Sequence, residues 1–157
     1  ACSAPSVCSV PATVTIPAGS PSVTFQVTGV GVGDTTVTAT AAGHTTAPDL
    51  SIRTVDPQLV FSGPSNTNVG GQSNFSVRLS VTGSAYPSNQ TAIAPMPVAF
   101  TSSSPGVATV PATATIASGS NNTSTLQLTG VAPGTTTVTA SGTGMLSATS
   151  AVVTVAP

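Results

Sequence analysis

Along most of the chain, apolar and polar residues change places every second position, in short runs closed by Gly, Pro, Ser and Asn. That period belongs to a half-buried β-strand, whose successive side chains point to opposite faces. The clearest run is Asn74 to Thr82. Phe75, Val77, Leu79 and Val81 fall on one face, and Asn74, Ser76, Arg78, Ser80 and Thr82 on the other. At ~3.3 Å per residue this predicts a strand about 30 Å long. Shorter runs predict strands at Thr13 to Ile16 with Val14 and Ile16 inward, and at Val23 to Thr28 with Val23, Phe25 and Val27 inward. Thr35 to Thr40 places Val37 and Ala39 inward, Ser51 to Val55 follows, and Gln58 to Phe61 and Pro97 to Ser103 add two more, the latter with Val98 and Phe100 inward. Helical periodicity is almost absent, so the chain reads as all-β.

The pattern also repeats. Val10 to Ala39 reads VPATVTIPAGSPSVTFQVTGVGVGDTTVTA, and Val110 to Ala140 reads VPATATIASGSNNTSTLQLTGVAPGTTTVTA. The offset is 100 residues up to a one-residue insertion before Leu128 and 101 after it, and it returns to 100 at the shared close, Thr54-Val55-Asp56-Pro57 against Thr154-Val155-Ala156-Pro157. Proline cannot donate to a ladder and suits a strand start or linker, which places the module junction at Asp56-Pro57. Residues 57–157 then form one complete module, and residues 1–56 the back half of another. Seven or so short strands in about 100 residues, with turns every 8–12, predict an immunoglobulin-like Greek-key β-sandwich, arranged in tandem.

The count of halves does not balance. Two back halves, Ala1 to Asp56 and Thr101 to Pro157, share a single front half, Pro57 to Phe100. The first back half is therefore expected to expose an apolar face and open strand edges. Exchanging front halves between identical chains cannot repair this, since each chain brings one and needs two. The expectation is a window from a longer repetitive polypeptide with the missing strands upstream; the alternative is strand donation to residues 1–56 by another chain.

At Thr101 to Val110, TSSSPGVATV, and Gly130 to Ser141, GVAPGTTTVTAS, the sequence resembles the bacterial immunoglobulin-like (BIG-type) domains strung along surface adhesins, invasin-type proteins and other secreted repeat proteins. In that family a serine-rich segment runs into a V-A-T-V strand, and a later G-T-T-x-V-T-A segment rounds a corner into the penultimate strand. Gly134 to Ala140 carries that corner here, and Gly33 to Ala39 carries it in the first copy. The resemblance implies an extracellular or cell-surface location and a bacterial source, and it implies spacer domains more often than binding tips.

Composition narrows the function. Only 3% of residues are charged, against roughly 25% in an ordinary soluble domain, while Ser and Thr make up about a third of the chain. Net charge is −1, a condition that promotes association. Arg53 and Arg78 are the only cations, so a basic patch for nucleic acid or an anionic membrane is excluded. No run of about 18 apolar residues offers a membrane-spanning helix, and no charged n-region with an apolar h-region opens the chain.

Candidate chemistry is sparse. His44 is the single histidine, and its counterpart in the second copy is Met145; Glu is absent, and Asp34, Asp49 and Asp56 are scattered. A triad of His44 with Asp34 or Asp49 and some serine carries no information in a chain so rich in serine. No catalytic, cofactor or metal residue is assigned, since calcium wants six to eight oxygens and only Asp49 lies near Asp56 in sequence. Cys2 and Cys8 flank Pro5-Ser6. A strand between them would separate them by about 20 Å, so a disulfide requires a turn, and the other repeat has the turn signal Pro105-Gly106 there. Free buried thiols are the other reading. Asn74, Asn89, Asn121 and Asn122 each open an N-x-[ST] sequon and are candidates for glycans. Tyr86, in the long loop Gly83 to Met96, is the candidate aromatic for sugar stacking. The reading that results is a non-enzymatic extracellular structural module, a stalk or a subunit of a self-associating cell-surface filament, whose partners are copies of itself or adjacent repeats. Its alternative is an adhesin module that binds carbohydrate or a host receptor through the 83–96 loop.

Overall fold

The computed structural model describes residues 1–81 and 91–157, which divide into two compact units, Ala1–Val55 and Asp56–Pro157. Among the described residues there are strands and turns and no helix. The first unit holds β1 (Cys8–Ser9), β2 (Thr28–Gly29), β3 (Gly33–Val37) and β4 (Leu50–Thr54). The second begins with β5 (Gln58–Ser62), β6 (Thr67–Asn68), β7 (Gln72–Ser80), β8 (Met96–Ser102), β9 (Ala108–Thr109) and β10 (Thr113–Ile116). It closes with β11 (Leu126–Gly130), β12 (Gly134–Thr136), β13 (Val138–Ser141), β14 (Ala148–Thr149) and β15 (Val153–Ala156).

The second unit is an immunoglobulin-like β-sandwich. One layer runs β5-β7-β11-β9; the other runs β10-β8-β13-β14 and continues as β12-β15-β6, where β15 and β6 pair in parallel. Strands distant in sequence are neighbours in space, as a Greek key requires. Alternation along β7 directs Phe75, Val77 and Leu79 inward, at 2% exposure or less, and leaves Asn74 and Arg78 outside. The other layer faces them with Val98 and Phe100 from β8, Val138 and Ala140 from β13, and Val153 and Val155 from β15. Phe75 joins the layers, its ring edge-on to Phe100 at 5.6 Å and tilted against Phe61 at 6.1 Å. With no tryptophan, aliphatic side chains fill the rest, Leu59, Ile116 and Leu128 among them without exposed surface.

The ladders are short, and hydroxyl groups extend them. Thr123, 2% exposed, donates its N–H to Val77 O at 2.9 Å and accepts the Val77 N–H on Oγ1 at 3.1 Å. Ser150 makes the same pair of bonds with Val138, at 2.8 and 3.0 Å, in the gap between β14 and β15. In both cases the side-chain oxygen replaces a main-chain carbonyl as acceptor, so a buried N–H is satisfied where the ladder breaks.

The first unit repeats the back half of this fold in fine detail. Ser3 pairs with Thr36 by N–H to O at 2.9 Å and by Thr36 N–H to Ser3 Oγ at 3.1 Å; Ser103 and Thr137 form both bonds at 2.9 Å. Buried Thr35 accepts the Ala4 N–H, and buried Thr136 accepts the Ser104 N–H. Gly33 and Gly134 have φ of 153° and 152°, and a Cβ on either would lie 2.9 Å from a methyl of Val7 or Val107. Only glycine fits a corner with both constraints.

The final strand departs from the sequence echo. Gly134 faces Val155 and Thr136 faces Val153, whereas Gly33 faces Thr54 and Thr35 faces Ile52. The ladder thus keeps the offset of 101 to the end, and the matching Thr-Val-X-Pro segments stand one residue out of register. In the echoed register Arg53 would take the place of Val153, which is fully buried. Because side chains alternate, a one-residue shift turns Arg53 outward and Ile52 inward.

Candidate functional site

In the second unit, β8 is an inner strand. Its Ala99 and Val98 pair with Thr113 and Ala114 of β10 on one side, and its Phe100 and Thr101 pair with Ala140 and Thr139 of β13 on the other. β7 meanwhile pairs with β11, Phe75 facing Leu126. The first unit carries the counterparts of β10, β11 and β13 and, among its own residues, nothing built like β7 or β8. Residues 13–16, expected to be a strand, and 23–27 of the strand expected at Val23 to Thr28 therefore run without a ladder. Their side chains, expected inward, stand out: Val14 is 46% exposed, Ile16 55%, Val23 37% and Phe25 42%. Ala39, the counterpart of fully buried Ala140, is exposed as well. Alternation marks which face of a segment is apolar; a ladder also needs a neighbour to supply donors and acceptors.

Between these segments lies an open groove of about 290 Å³, lined by Ala1, Val10, Val14, Phe25, Val37 and Ala39 among others. The equivalents of this lining in the second unit close around Val98 and Phe100 of β8. The groove mixes apolar side chains with Thr13, Thr38 and Thr40, and residues 13–16 beside it have no ladder partner. It can accept an extended segment through main-chain hydrogen bonds and alternate side chains.

Cys2 and Cys8 are joined, with S–S 1.99 Å and Cα–Cα 6.2 Å. A turn between them, closed by Val7 N–H to Ala4 O at 2.9 Å, brings them together, and Val107 N–H to Ser104 O at 2.9 Å closes the same turn in the second unit. Ser102 and Ala108 occupy the two positions there. Cys8, 1% exposed, fills the place of Ala108.

Charge is concentrated on one pair. Arg53 on β4 faces Asp34 on β3, with Nε on Oδ1 at 2.5 Å and Nη2 on Oδ2 at 2.8 Å, and the hydrogen bond to the guanidinium lowers the Asp34 pKa below its ordinary value. Sequence reading missed this pair, although two opposite charges among five ionic residues in neighbouring predicted strands were a usable signal. His44 is exposed in the turn closed by its N–H to Ala41 O, and Asp49 accepts a hydrogen bond from Thr38. Asn74 is exposed on β7, Asn121 is half-buried and Asn122 is exposed, its side-chain carbonyl taking a bond from Ser120 at 3.1 Å. Tyr86 and Asn89 lie outside the described residues. Among the described residues no group of three or more His, Cys, Asp or Glu side chains is placed to hold a metal ion.

No protein family and no curated protein matches the sequence. Solved structures do. Domains 4 and 5 of the S-layer protein SbsC align with 85% of this chain and 62% of their own length at 22% identity and a TM-score of 0.47. Domains 1–6 of SbsC align with 84% of this chain and 17% of theirs at 21% identity and 0.48. A glycosyl hydrolase family 2 member from Bacteroides cellulosilyticus aligns with 85% of this chain and 19% of its own at 14% identity and 0.50. The chain spans less than two thirds of each of these structures. The last likeness is one of fold alone.

Proposed function

We propose that the chain is a non-enzymatic structural module of the bacterial immunoglobulin-like type, acting outside the cell as a stalk or as a subunit of a self-associating surface filament. One observation carries this reading: a β-sandwich module whose back half recurs in a chain in which 3% of residues are charged. Ions normally keep soluble domains apart. A net charge of −1 spread over a Ser/Thr-rich surface raises almost no electrostatic barrier between copies, and the edge strands β9 and β14 carry no charge to ward off pairing. The work of such a module is to hold distance and to make contact, and it needs no reactive side chain. The motifs TSSSPGVATV and GVAPGTTTVTAS support the bacterial surface context.

Electron microscopy and sedimentation of the native material test the proposal, with elongated or filamentous particles expected. Compact monomers at all concentrations would overturn the filament form. A glycan array provides the contrasting arm: no saturable binding is expected of a spacer, and binding lost on Tyr86→Ala would transfer the function to the 83–96 loop.

A further inference from the structure

We propose that the groove of the first unit is the seat of two strands built like β7 and β8, one for each layer, with the β8-like strand joined to Ala1 and lying between residues 13–16 and 38–40. The second unit shows the same face occupied. There β8 inserts between β10 and β13, β7 flanks β11, and Ile116, Leu128 and Ala140 are buried where Ile16, Val27 and Ala39 are open or half-open.

The direction and register of the incoming strand are set by its end. Thr38 donates its N–H to Ala1 O at 2.9 Å, and the Ala1 amino group donates to Thr38 O. Cys2 bridges to Val37. These are the contacts of Thr101 with Thr139 and of Ser102 with Val138, the last steps of the β8–β13 ladder. Ala1 and Cys2 are therefore placed as the tail of a β8-type strand, and the groove continues from them. A strand in that register sets its final apolar residue, the counterpart of Phe100, opposite Ala39, and the counterpart of Val98 opposite Val14. The β7-like strand sets a counterpart of Phe75 opposite Phe25. Alternate apolar residues and a free main chain are all the recognition the slot demands.

The inference deepens the reading of the chain as an assembly module and rests on it, but its test is made on a single chain, so either can fail without the other. A second copy of residues 57–100 is fused ahead of Ala1 in the full chain, and amide hydrogen exchange is followed at 13–16, 22–27 and 38–40. Slowing by about a hundredfold or more is expected at all three for the amides that face the added strands, since these gain ladder partners. The same fusion with Val98→Asp and Phe100→Asp in the added copy only is expected to lose that protection, while the exchange of β7 and β8 in the original second unit is unchanged. Unslowed exchange in the first fusion would overturn the proposal. So would protection from residues 57–100 supplied as a separate peptide but not from the fusion, or protection that grows with concentration in the unfused chain, which would give the groove to a second chain or a second copy.

Discussion

At the scale of the residue, the hydroxyl side chains are more than surface decoration. In four places a Ser or Thr donates its N–H to a residue across the ladder and takes that residue's N–H on its side-chain oxygen: Ser3 with Thr36, Ser103 with Thr137, Thr123 with Val77 and Ser150 with Val138. A hydroxyl oxygen is placed by rotation about χ1, independently of the carbonyl's direction, so it can satisfy an N–H where a strand bends away. Thr123→Val keeps the shape and removes the acceptor, which leaves the buried Val77 N–H unpaired. A loss of about 1–3 kcal/mol from the second unit is expected in urea unfolding, with Thr123→Ser close to wild type. Asp34 offers a test of the other polar contact. Its pKa is lowered by the Arg53 hydrogen bond, so the contribution of the pair is present above the ordinary carboxylate pKa and is lost as pH falls through the lowered value. Carbon-detected NMR titration should find the Asp34 carboxyl ionised to lower pH in the wild-type chain than in an Arg53→Gln variant, which lacks the guanidinium. An unchanged midpoint in the variant would refute that cause.

Register is decided at the scale of the element, and here sequence similarity and physical burial disagree. The echoed Thr-Val-X-Pro segments invite an alignment that puts Arg53 where Val153 is buried, and β4 declines it. Turning a guanidinium into an apolar layer costs more than losing a matched motif, and the shifted register also gives Arg53 its carboxylate. Arg53→Val removes both reasons. Cross-strand NOEs in that variant should then place Thr35 opposite the new valine instead of Ile52, and retention of the wild-type pairing would show that the turn between β3 and β4 sets the register. The same contrast explains what was legible in the chain. Alternation over 74–82 located β7, which begins two residues earlier at Gln72 and ends at Ser80, and its buried face, because Phe75, Val77 and Leu79 meet a second layer. The equally regular run over Val23 to Thr28 became a strand only at Thr28, because the pattern carries no information about whether a neighbour is present. The groove was foreseeable from counting halves; its walls were not, since they depend on which strand of the complete module is an inner one.

At the scale of the whole molecule, the two units differ in what holds them. The second encloses a continuous core from Leu59 to Val155, while the buried apolar residues of the first are Val7, Cys8 and Val37. Burial of a full aliphatic side chain is worth ~1.5–3 kcal/mol, so the first unit has little to set against the entropy of its chain. The Cys2–Cys8 link compensates in part: closing so short a loop in the unfolded state is worth about 2 kcal/mol. Unfolding of the full chain should accordingly occur in two stages. On heating, the amides of β3 and β4 should exchange freely while those of β7, β8 and β13 are still protected, and reduction of the disulfide should lower the first transition and leave the second in place. A single transition reported alike by both sets of amides would mean that the first unit draws stability from contacts beyond its own thin core. That outcome would also weaken the case for an open groove, because a face that is already supported has no need of two further strands.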